Sequence, residues 1–449
     1  MLRTSSGNKA HPPSTCRKNR TDAHRERQTQ LERMAPKKKE EEKPRVILGR
    51  PTNHVKAGVV GMPNVGKSTT FNIMCQMAVP AENFPFCTID PSEARVEVPD
   101  AKFKKLCEKW KPKNEVPAYL TLFDIAGLVK GAAEGAGLGN AFLSHIAAVD
   151  AIFHVCRTFE ETADGEAATH VEDSVDPVRD LEIIRNELRL KDVAALEKIL
   201  DPLRKEVARD GKAKEKKDRL EIVEKIYAYV AGTEGEVAIE GKEVRFGTWS
   251  TKEIDVLNDL NLLTAKTALH LVNMSEKDFI KQKNKWLPKI KEWIEKERPG
   301  EGMVFYSAAL EAKFLDMTPE EKKTFCAENK TRSQMDSIVV KGYHTLQLIH
   351  FYTSGPDEVK CWTIRDGWTA PKAAGTIHTD FERGFIKAEV YNWDDWNEQL
   401  QEDGHEPGKA AEAKVKEVGK YRQEGKGYVV KDADIIFFKF NVTADAKKK

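Results

Sequence analysis

The sequence predicts an α/β protein: a doubly wound, mostly parallel sheet, an antiparallel helical hairpin inserted into it, and a small β-rich module at the C-terminal end. Three observations carry that prediction. Four short apolar runs, residues 55–61 (VKAGVVG), 119–123 (YLTLF), 151–155 (AIFHV) and 268–272 (ALHLV), each end in a loop and alternate with helical stretches. Between the third and fourth runs, apolar residues recur at three- and four-residue steps over more than fifty positions. Beyond about Leu346 the texture changes to short strand-like segments separated by Gly- and Pro-containing turns.

Taken in order, residues 1–53 are rich in Lys, Arg, Ser, Thr, Pro and Glu and nearly free of aromatics. Such a segment buries too little apolar surface to offset chain entropy, so disorder is expected. Its arginines resemble those of a transit peptide, but Asp22, Glu26 and Glu32 and the lack of an apolar face argue against one. Met34 opens a second plausible start, so residues 1–33 are expected to be an upstream extension. Order is expected from His54. The first strand runs into a Gly-rich turn, and a helix follows from Ser68 with Phe71, Met74 and Met77 near one face. The second strand ends at Asp124. The hairpin is expected over residues 177–232. Its first helix carries Leu181, Ile184, Leu188, Leu196, Ile199, Leu203 and Val207, and its second Leu220, Val223, Ile226, Tyr227 and Val230. A polar tip, residues 209–218, separates them. The C-terminal strands are expected at 359–364, 386–390 and 434–440 around one helix, before a disordered Lys-rich tail, 442–449. The expected division is a nucleotide-binding domain over 54–326 and a second domain over 347–441.

Bulk composition mainly excludes. The 449 residues fit two to four domains. Lys and Arg number 73 and Asp and Glu 72, so no uniform charge draws the chain to nucleic acid or membrane. No apolar run approaches the ~20 residues that span a bilayer, and the N-terminus lacks a signal-peptide core. Seven scattered cysteines without a C-x-x-C read as free thiols, not as a disulfide framework or zinc site. A cytoplasmic location is the resulting expectation.

The strongest motif is Gly61-Met-Pro-Asn64-Val65-Gly66-Lys67-Ser68, a G-x-x-x-x-G-K-[ST] phosphate loop placed between a strand and a helix. Its glycines let successive N–H groups cradle a phosphate at a helix N-terminus. Lys67 would reach the β- and γ-oxygens, and the Ser68 hydroxyl would ligate Mg²⁺. Asp124-Ile-Ala-Gly127 at a strand end fits a D-x-x-G element: the Asp holds Mg²⁺ through water and the Gly127 N–H senses the γ-phosphate. Thr88 lies in the intervening loop, where a switch threonine would complete the Mg²⁺ shell. Leu128 stands where related enzymes place a water-orienting glutamine, and its aliphatic chain cannot do that work. A glycine-dense switch follows over 131–139. After the fourth strand comes Asn273-Met274-Ser275-Glu276 in place of the N-K-x-D that selects guanine. Glu remains an acceptor, so guanine is weakened but not forbidden. Ser307 and Ala308 supply the S-A element that backs the base.

Together these residues resemble the Obg-like ATPases, the YchF-type subfamily of translation-factor-like P-loop proteins. The resemblance rests on GMPNVGKST, NFPFCTIDP, DIAGLVKGAAEGAGLGNAFLSHI, LVNMSEKD, GPDEVKCWTI and AAGTIHTDFERGFI, and covers roughly residues 44–441. It implies a Ras-like P-loop G domain with the helical-hairpin insertion and a C-terminal TGS domain of β-grasp type. It implies ATP over GTP, a main-chain contact from Met274 to adenine, phosphate contacts from Asn64 through Val65, Gly66, Lys67 and Ser68 to Thr69, and Mg²⁺ at Ser68 and Thr88. His170 occupies the position of a histidine assigned a catalytic part. Asn64 resembles the asparagine of potassium-stimulated relatives, which makes K⁺ a candidate activator. TGS domains look like RNA- or ribosome-contacting modules. Basic residues at Lys212, Lys214, Lys216, Lys217 and Arg219, and at Lys281, Lys283, Lys285, Lys289 and Lys291, make RNA or the ribosome the expected partner of a monomeric chain.

Overall fold

The structure, a computed structural model, describes residues 48–49, 56–77, 93–125, 145–161, 172–209, 214–233, 239–400 and 406–441. The expectations for 1–47 and 442–449, and those on Thr88, Gly127, Leu128, the 131–139 run, His170 and Lys212, lie outside the described residues.

Strands numbered along the chain as β1 (Lys56–Val60), β2 (Glu93–Glu97), β3 (Asn114–Val116), β4 (Tyr119–Asp124), β5 (Ala151–Arg157), β6 (Gly232–Thr233), β7 (Ile239–Glu240), β8 (Thr267–Asn273) and β9 (Gly302–Tyr306) precede the C-terminal region. Six of them form one sheet in the order β2-β4-β1-β5-β8-β9. All neighbours are parallel except β2, which runs antiparallel to β4. Both β5 and β8 are buried along their whole length, which is why they read as continuous apolar runs. The four expected strands are present, and β2 and β9 extend the sheet at its two edges. In β2 only Ala94 and Val96 turn inward between Glu93, Arg95 and Glu97, so its apolar signal is weak.

Helices α1 (Lys67–Gln76), α2 (Ala101–Trp110), α3 (Pro177–Arg209) and α4 (Lys214–Ala231) follow in chain order. Asp100 caps α2 by accepting from the N–H groups of Lys102 and Phe103 at 2.9 and 3.1 Å. The helices α3 and α4 form the hairpin. Its antiparallel register is fixed by Arg204 on Glu224 at 3.0 Å, Tyr227 on Glu197 at 2.9 Å and Lys216 with Glu206 at 3.2 Å. Leu196, Leu200, Val223, Ile226 and Val230 fill the seam. The polar tip is shorter than expected, because α4 already starts at Lys214. Lys and Glu are good helix formers, and a charged run is not a break by itself.

At the hairpin's foot, the buried Asp192 carboxylate accepts from the Leu263 and Thr264 N–H groups, both at 2.8 Å, and from the Thr264 hydroxyl at 2.7 Å. Beside it lies a buried ionic network. Arg298 pairs with Glu243 and, at 2.9 Å, with Glu301, which also meets His270 at 3.0 Å. Arg185 of α3 joins through Glu243 at 3.7 Å and Glu297 at 3.0 Å, so the hairpin is tied to the sheet domain by charge as well as by apolar packing.

Next come α5 (Thr251–Leu260), α6 (Glu276–Lys281), α7 (Leu287–Glu297), α8 (Ala308–Asp316), α9 (Pro319–Glu328) and α10 (Met335–Thr345). The second sheet is built from β10 (Leu348–Thr353), β11 (Glu358–Arg365), β12 (Phe385–Asn392), β13 (Arg422–Glu424) and β14 (Asp434–Phe440). Four helices accompany it, α11 (Ala370–Gly375), α12 (Thr379–Arg383), α13 (Trp393–Glu398) and α14 (Pro407–Glu417), where one was expected. Three of them are six residues or shorter, too brief for helical periodicity to show. The sheet order is β13-β12-β14-β10-β11-β3. Its last member comes from the N-terminal part of the chain: β3 pairs in parallel with β11, Asn114 opposite Glu358. Tyr352 donates to Asp100 at 2.7 Å and the Trp393 indole to the Lys102 carbonyl at 3.1 Å, so α2 and β3 are held by the C-terminal domain.

Candidate nucleotide-binding site

The site lies where open α/β sheets place ligands, at the C-terminal ends of parallel strands. The β1 strand ends at Val60, and the loop from Gly61 to Gly66 leads into α1. Gly66 is the N-cap at φ +96°, and a Cβ there would stand 2.4 Å from the Asn273 side-chain nitrogen. Gly61 packs so closely on β5 that a Cβ would meet the Val155 carbonyl at 2.4 Å. These two positions need glycine for backbone approach, the geometry a phosphate cradle requires.

Lys67 is only 7% exposed, and its ammonium donates to the Met62 carbonyl at 2.7 Å. Burial lowers its pKa from 10.5 to about 8, with the Asp124 carboxylate pulling the other way. Ser68 and Thr69 are exposed at the mouth of the loop. The Ser68 hydroxyl donates to Asp124 Oδ2 at 3.1 Å, and β4 brings that carboxylate beside β1, Val59 opposite Asp124. Asp124 Oδ1 is buried without a hydrogen-bond partner among the described residues. Burial raises the Asp124 pKa, while Ser68 and Lys67 oppose the rise. A hydroxyl, a carboxylate oxygen and an orphaned second oxygen converging beside a lysine form an oxygen donor set that suits a hard divalent cation such as Mg²⁺.

Asn273, at the end of β8, performs a structural task at the loop's back. Its amide nitrogen donates to the Val65 carbonyl and its amide oxygen accepts from the Ala308 N–H, both at 3.0 Å. A second strap runs from Tyr306. Thr70 donates its hydroxyl proton to the Gly66 carbonyl at 2.8 Å, so the buried Tyr306 hydroxyl, 2.6 Å away, must donate to Thr70. The third support is Arg157 at the end of β5. Its guanidinium donates to the Asn64 carbonyl at 3.1 Å and lies over the Phe159 ring. Burial lowers the Arg157 pKa, and the Asp180 carboxylate of α3 opposes that. None of Arg157, Thr70 and Tyr306 was singled out for these contacts from the sequence. Arg157 is a lone arginine ending an apolar strand, and only the fold brings it to the loop.

At the base end the arrangement sharpens the expectations. The Met274 N–H donates to the Tyr306 carbonyl at 2.8 Å, and the Met274 side chain is buried with Val272, Phe279 and Phe314. Ser307 is buried and caps α8, so its hydroxyl is directed at the helix. Glu276 opens α6 and is paired with Lys313 of α8. Thus Asp124 is joined to the loop through Ser68 and Asn273 through Val65, while Met274, Glu276 and Ser307 follow directly on the ends of β8 and β9.

Comparison with known proteins gives the family. A family model named for the YchF GTPase C-terminal domain and described as "Protein of unknown function (DUF933)" matches residues 348–441, and one described as "50S ribosome-binding GTPase" matches 56–198. Obg-like ATPase 1 of Oryza sativa subsp. indica is 55% identical over 404 residues, 90% of this chain and 96% of that protein. The Homo sapiens protein of that name is 50% identical over 408 residues, 91% of this chain and 98% of its own. The chain belongs to the Obg-like ATPase (YchF) family. The solved structure of the Schizosaccharomyces pombe YchF GTPase matches with a TM-score of 0.75 at 46% identity, covering 88% of this chain and all of that one. As an Obg-like protein, the chain combines a P-loop GTPase-type domain with the YchF C-terminal domain, and it is a nucleotide-binding protein of that type.

Four residues of the two basic clusters face acids. Lys216 faces Glu206 and Arg219 faces Asp259 at 3.1 Å, while Lys285 faces Glu160 at 3.3 Å and Lys291 faces Glu295 at 3.7 Å. Among the described residues no helix is long and apolar enough to cross a membrane.

Proposed function

We propose that the chain is an Mg²⁺-dependent ATPase whose P-loop site cleaves the β–γ bond of ATP and uses the bound state as a conformational switch. The observation that carries the reading is the convergence of Lys67, Ser68 and the half-satisfied Asp124 carboxylate at one loop. In this reading the N–H groups of residues 64–69 hold the phosphates and Lys67 neutralises the β- and γ-oxygens. Ser68, Thr88 and, through water, Asp124 hold Mg²⁺, which when bound supplies positive charge to the phosphate oxygens. Gly127 reports the γ-phosphate and His170 takes the catalytic part left open by Leu128. Asn64 and its neighbours keep K⁺ activation within the reading, to be tested by turnover in KCl against NaCl.

The preference for adenine rests on Met274 and Glu276 in place of the guanine-selecting Lys and Asp, and on relatives that carry the name ATPase. Because the Met274 N–H is engaged, its carbonyl is the main-chain group offered to the exocyclic amine of adenine. The domain limits 54–326 and 347–441, a cytoplasmic location and a monomeric state go with the same reading. Phosphate release from Mg·ATP by wild type and Lys67→Ala tests it: loss of turnover is expected, and unchanged release removes the site assignment.

Association with the ribosome or RNA is the partner reading. It is supported by the ribosome-binding description of the family matched at 56–198 and by the C-terminal domain's resemblance to TGS modules. Cosedimentation with ribosomes over a salt series tests it, with binding expected to weaken as salt rises. A second reading, a ribosome-binding adaptor for which nucleotide binding suffices, is favoured by Leu128. A His170→Ala variant that binds ATP, no longer hydrolyses it and keeps its cellular function would support that alternative.

A further inference from the structure

We infer that Lys313 is a specificity-determining residue of the base site, which it turns against guanine by occupying the Glu276 carboxylate. The inference rests on the adenine reading above and extends it to a residue outside every motif. Guanine presents two donors on one edge, N1–H and the 2-amino group, and a site that selects it meets both with one free carboxylate. Glu276 holds that fourth motif position, but its Oε2 is bound by the Lys313 ammonium. An ammonium on Oε2 occupies one of that oxygen's lone pairs and offsets the carboxylate's charge, so the two donors of guanine are met less well.

The same pair favours adenine. Adenine carries an unprotonated N1 on that edge, and a bare carboxylate facing a ring-nitrogen lone pair repels it. An ammonium bridging the carboxylate cancels that repulsion and leaves a nearly neutral wall. The effect of Lys313 therefore has opposite sign for the two bases, which is the form a specificity determinant takes.

The pair is half open to water, with Lys313 at 52% and Glu276 at 27% exposure, and an isolated pair of that kind is worth little. Here both partners are delivered by rigid elements. Helix α8 is fixed to the base loop at its first residue, where the Ala308 N–H donates to Asn273. Its Leu310 and Phe314 are buried in the cluster that also holds Met274 and Phe279 of α6. Lys313 thus projects from a helix whose first residue and apolar face are anchored beside the base loop.

The test measures affinities for ATP and GTP with Mg²⁺ and reads only their ratio. Lys313→Met is expected to shift the ratio toward GTP by about fivefold, the scale of one partly exposed ion pair. Lys313→Arg, which keeps the cation, is expected to stay near wild type. In the double variant Lys313→Met/Glu276→Gln the shift is expected to vanish, because no carboxylate remains to be freed. A ratio in Lys313→Met within twofold of wild type overturns the inference, as does a shift that persists in the double variant. If wild type itself binds GTP more tightly, the adenine reading fails and this inference with it. If wild type prefers ATP and the ratio does not move, the inference alone fails.

Discussion

Replacing Lys67 with Met is expected to make the nucleotide-free protein more stable while abolishing its response to ATP. Lys67 is 7% exposed and its pKa falls from 10.5 to about 8, with burial the leading cause. That difference of about 2.5 units, at 1.36 kcal/mol per unit, is about 3 kcal/mol of cost for keeping the charge in the folded state at neutral pH. The hydrogen bond to Met62 returns about 1 kcal/mol. A neutral side chain of similar length is therefore expected to stabilise the fold by about 2 kcal/mol. The sign with pH follows. The folded pKa is lower than the unfolded one, so the cost is full below about pH 8 and fades as pH rises from there to 10.5. Urea unfolding of wild type and Lys67→Met at pH 7 and near pH 9.5, each with and without Mg·ATP, measures all three terms. The variant should be the more stable at pH 7, the gap should narrow at the higher pH, and ATP should raise the midpoint of wild type only. A variant less stable than wild type at pH 7, or a gap independent of pH, would refute the desolvation argument.

Other contacts give equally direct expectations. Asn273→Ala leaves the Val65 carbonyl and the Ala308 N–H without their 3.0 Å partner, which should cost about 2–4 kcal/mol by denaturant unfolding and weaken ATP binding at least ~10-fold by titration. Arg157→Lys keeps the charge but loses the planar donor on the Asn64 carbonyl, so kcat/KM for ATP should fall about 10-fold in steady-state assays with the fold retained. At the hairpin's foot, burial raises the Glu301 carboxyl but Arg298, with His270, overcomes it and holds it down to about 2. A depressed acid contributes stability above its unfolded value of 4.5 that is lost as pH falls from there toward 2. Glu301→Gln should therefore lower the melting temperature at pH 7 and flatten the acid limb of a circular-dichroism stability profile.

What the sequence disclosed follows the range of the interactions involved. The phosphate loop was legible because its chemistry is contiguous: eight consecutive residues specify turn, cradle, lysine and hydroxyl. The strands β5 and β8 were legible because both faces are buried and almost every residue is apolar or paired. The α3–α4 seam announced itself through a 3.6-residue period. Edge and borrowed strands did not. β2 shows two inward residues, and β3 is three residues, Asn-Glu-Val, whose role depends on β11, more than two hundred positions away. Site residues divide in the same way. Asn273 and Asp124 were found through motifs. Arg157, Tyr306 and Lys313 act across the fold, on the Asn64 carbonyl, the Thr70 hydroxyl and the Glu276 carboxylate, through contacts that no local pattern encodes. Within the basic clusters, the acids that face Arg219 and Lys285, Asp259 and Glu160, lie 40 and 125 positions away, so no local pattern shows those pairings.

The claim that joins these observations is an adenine-selective P-loop site. Titrating the purified wild-type chain with labelled Mg·ATP and Mg·GTP, each competed by the other, tests it most directly. Tighter binding of ATP, displaced by ATP more readily than by GTP, is the predicted result. Tighter binding of GTP would contradict the account at its base end and return Glu276 to a guanine-reading role.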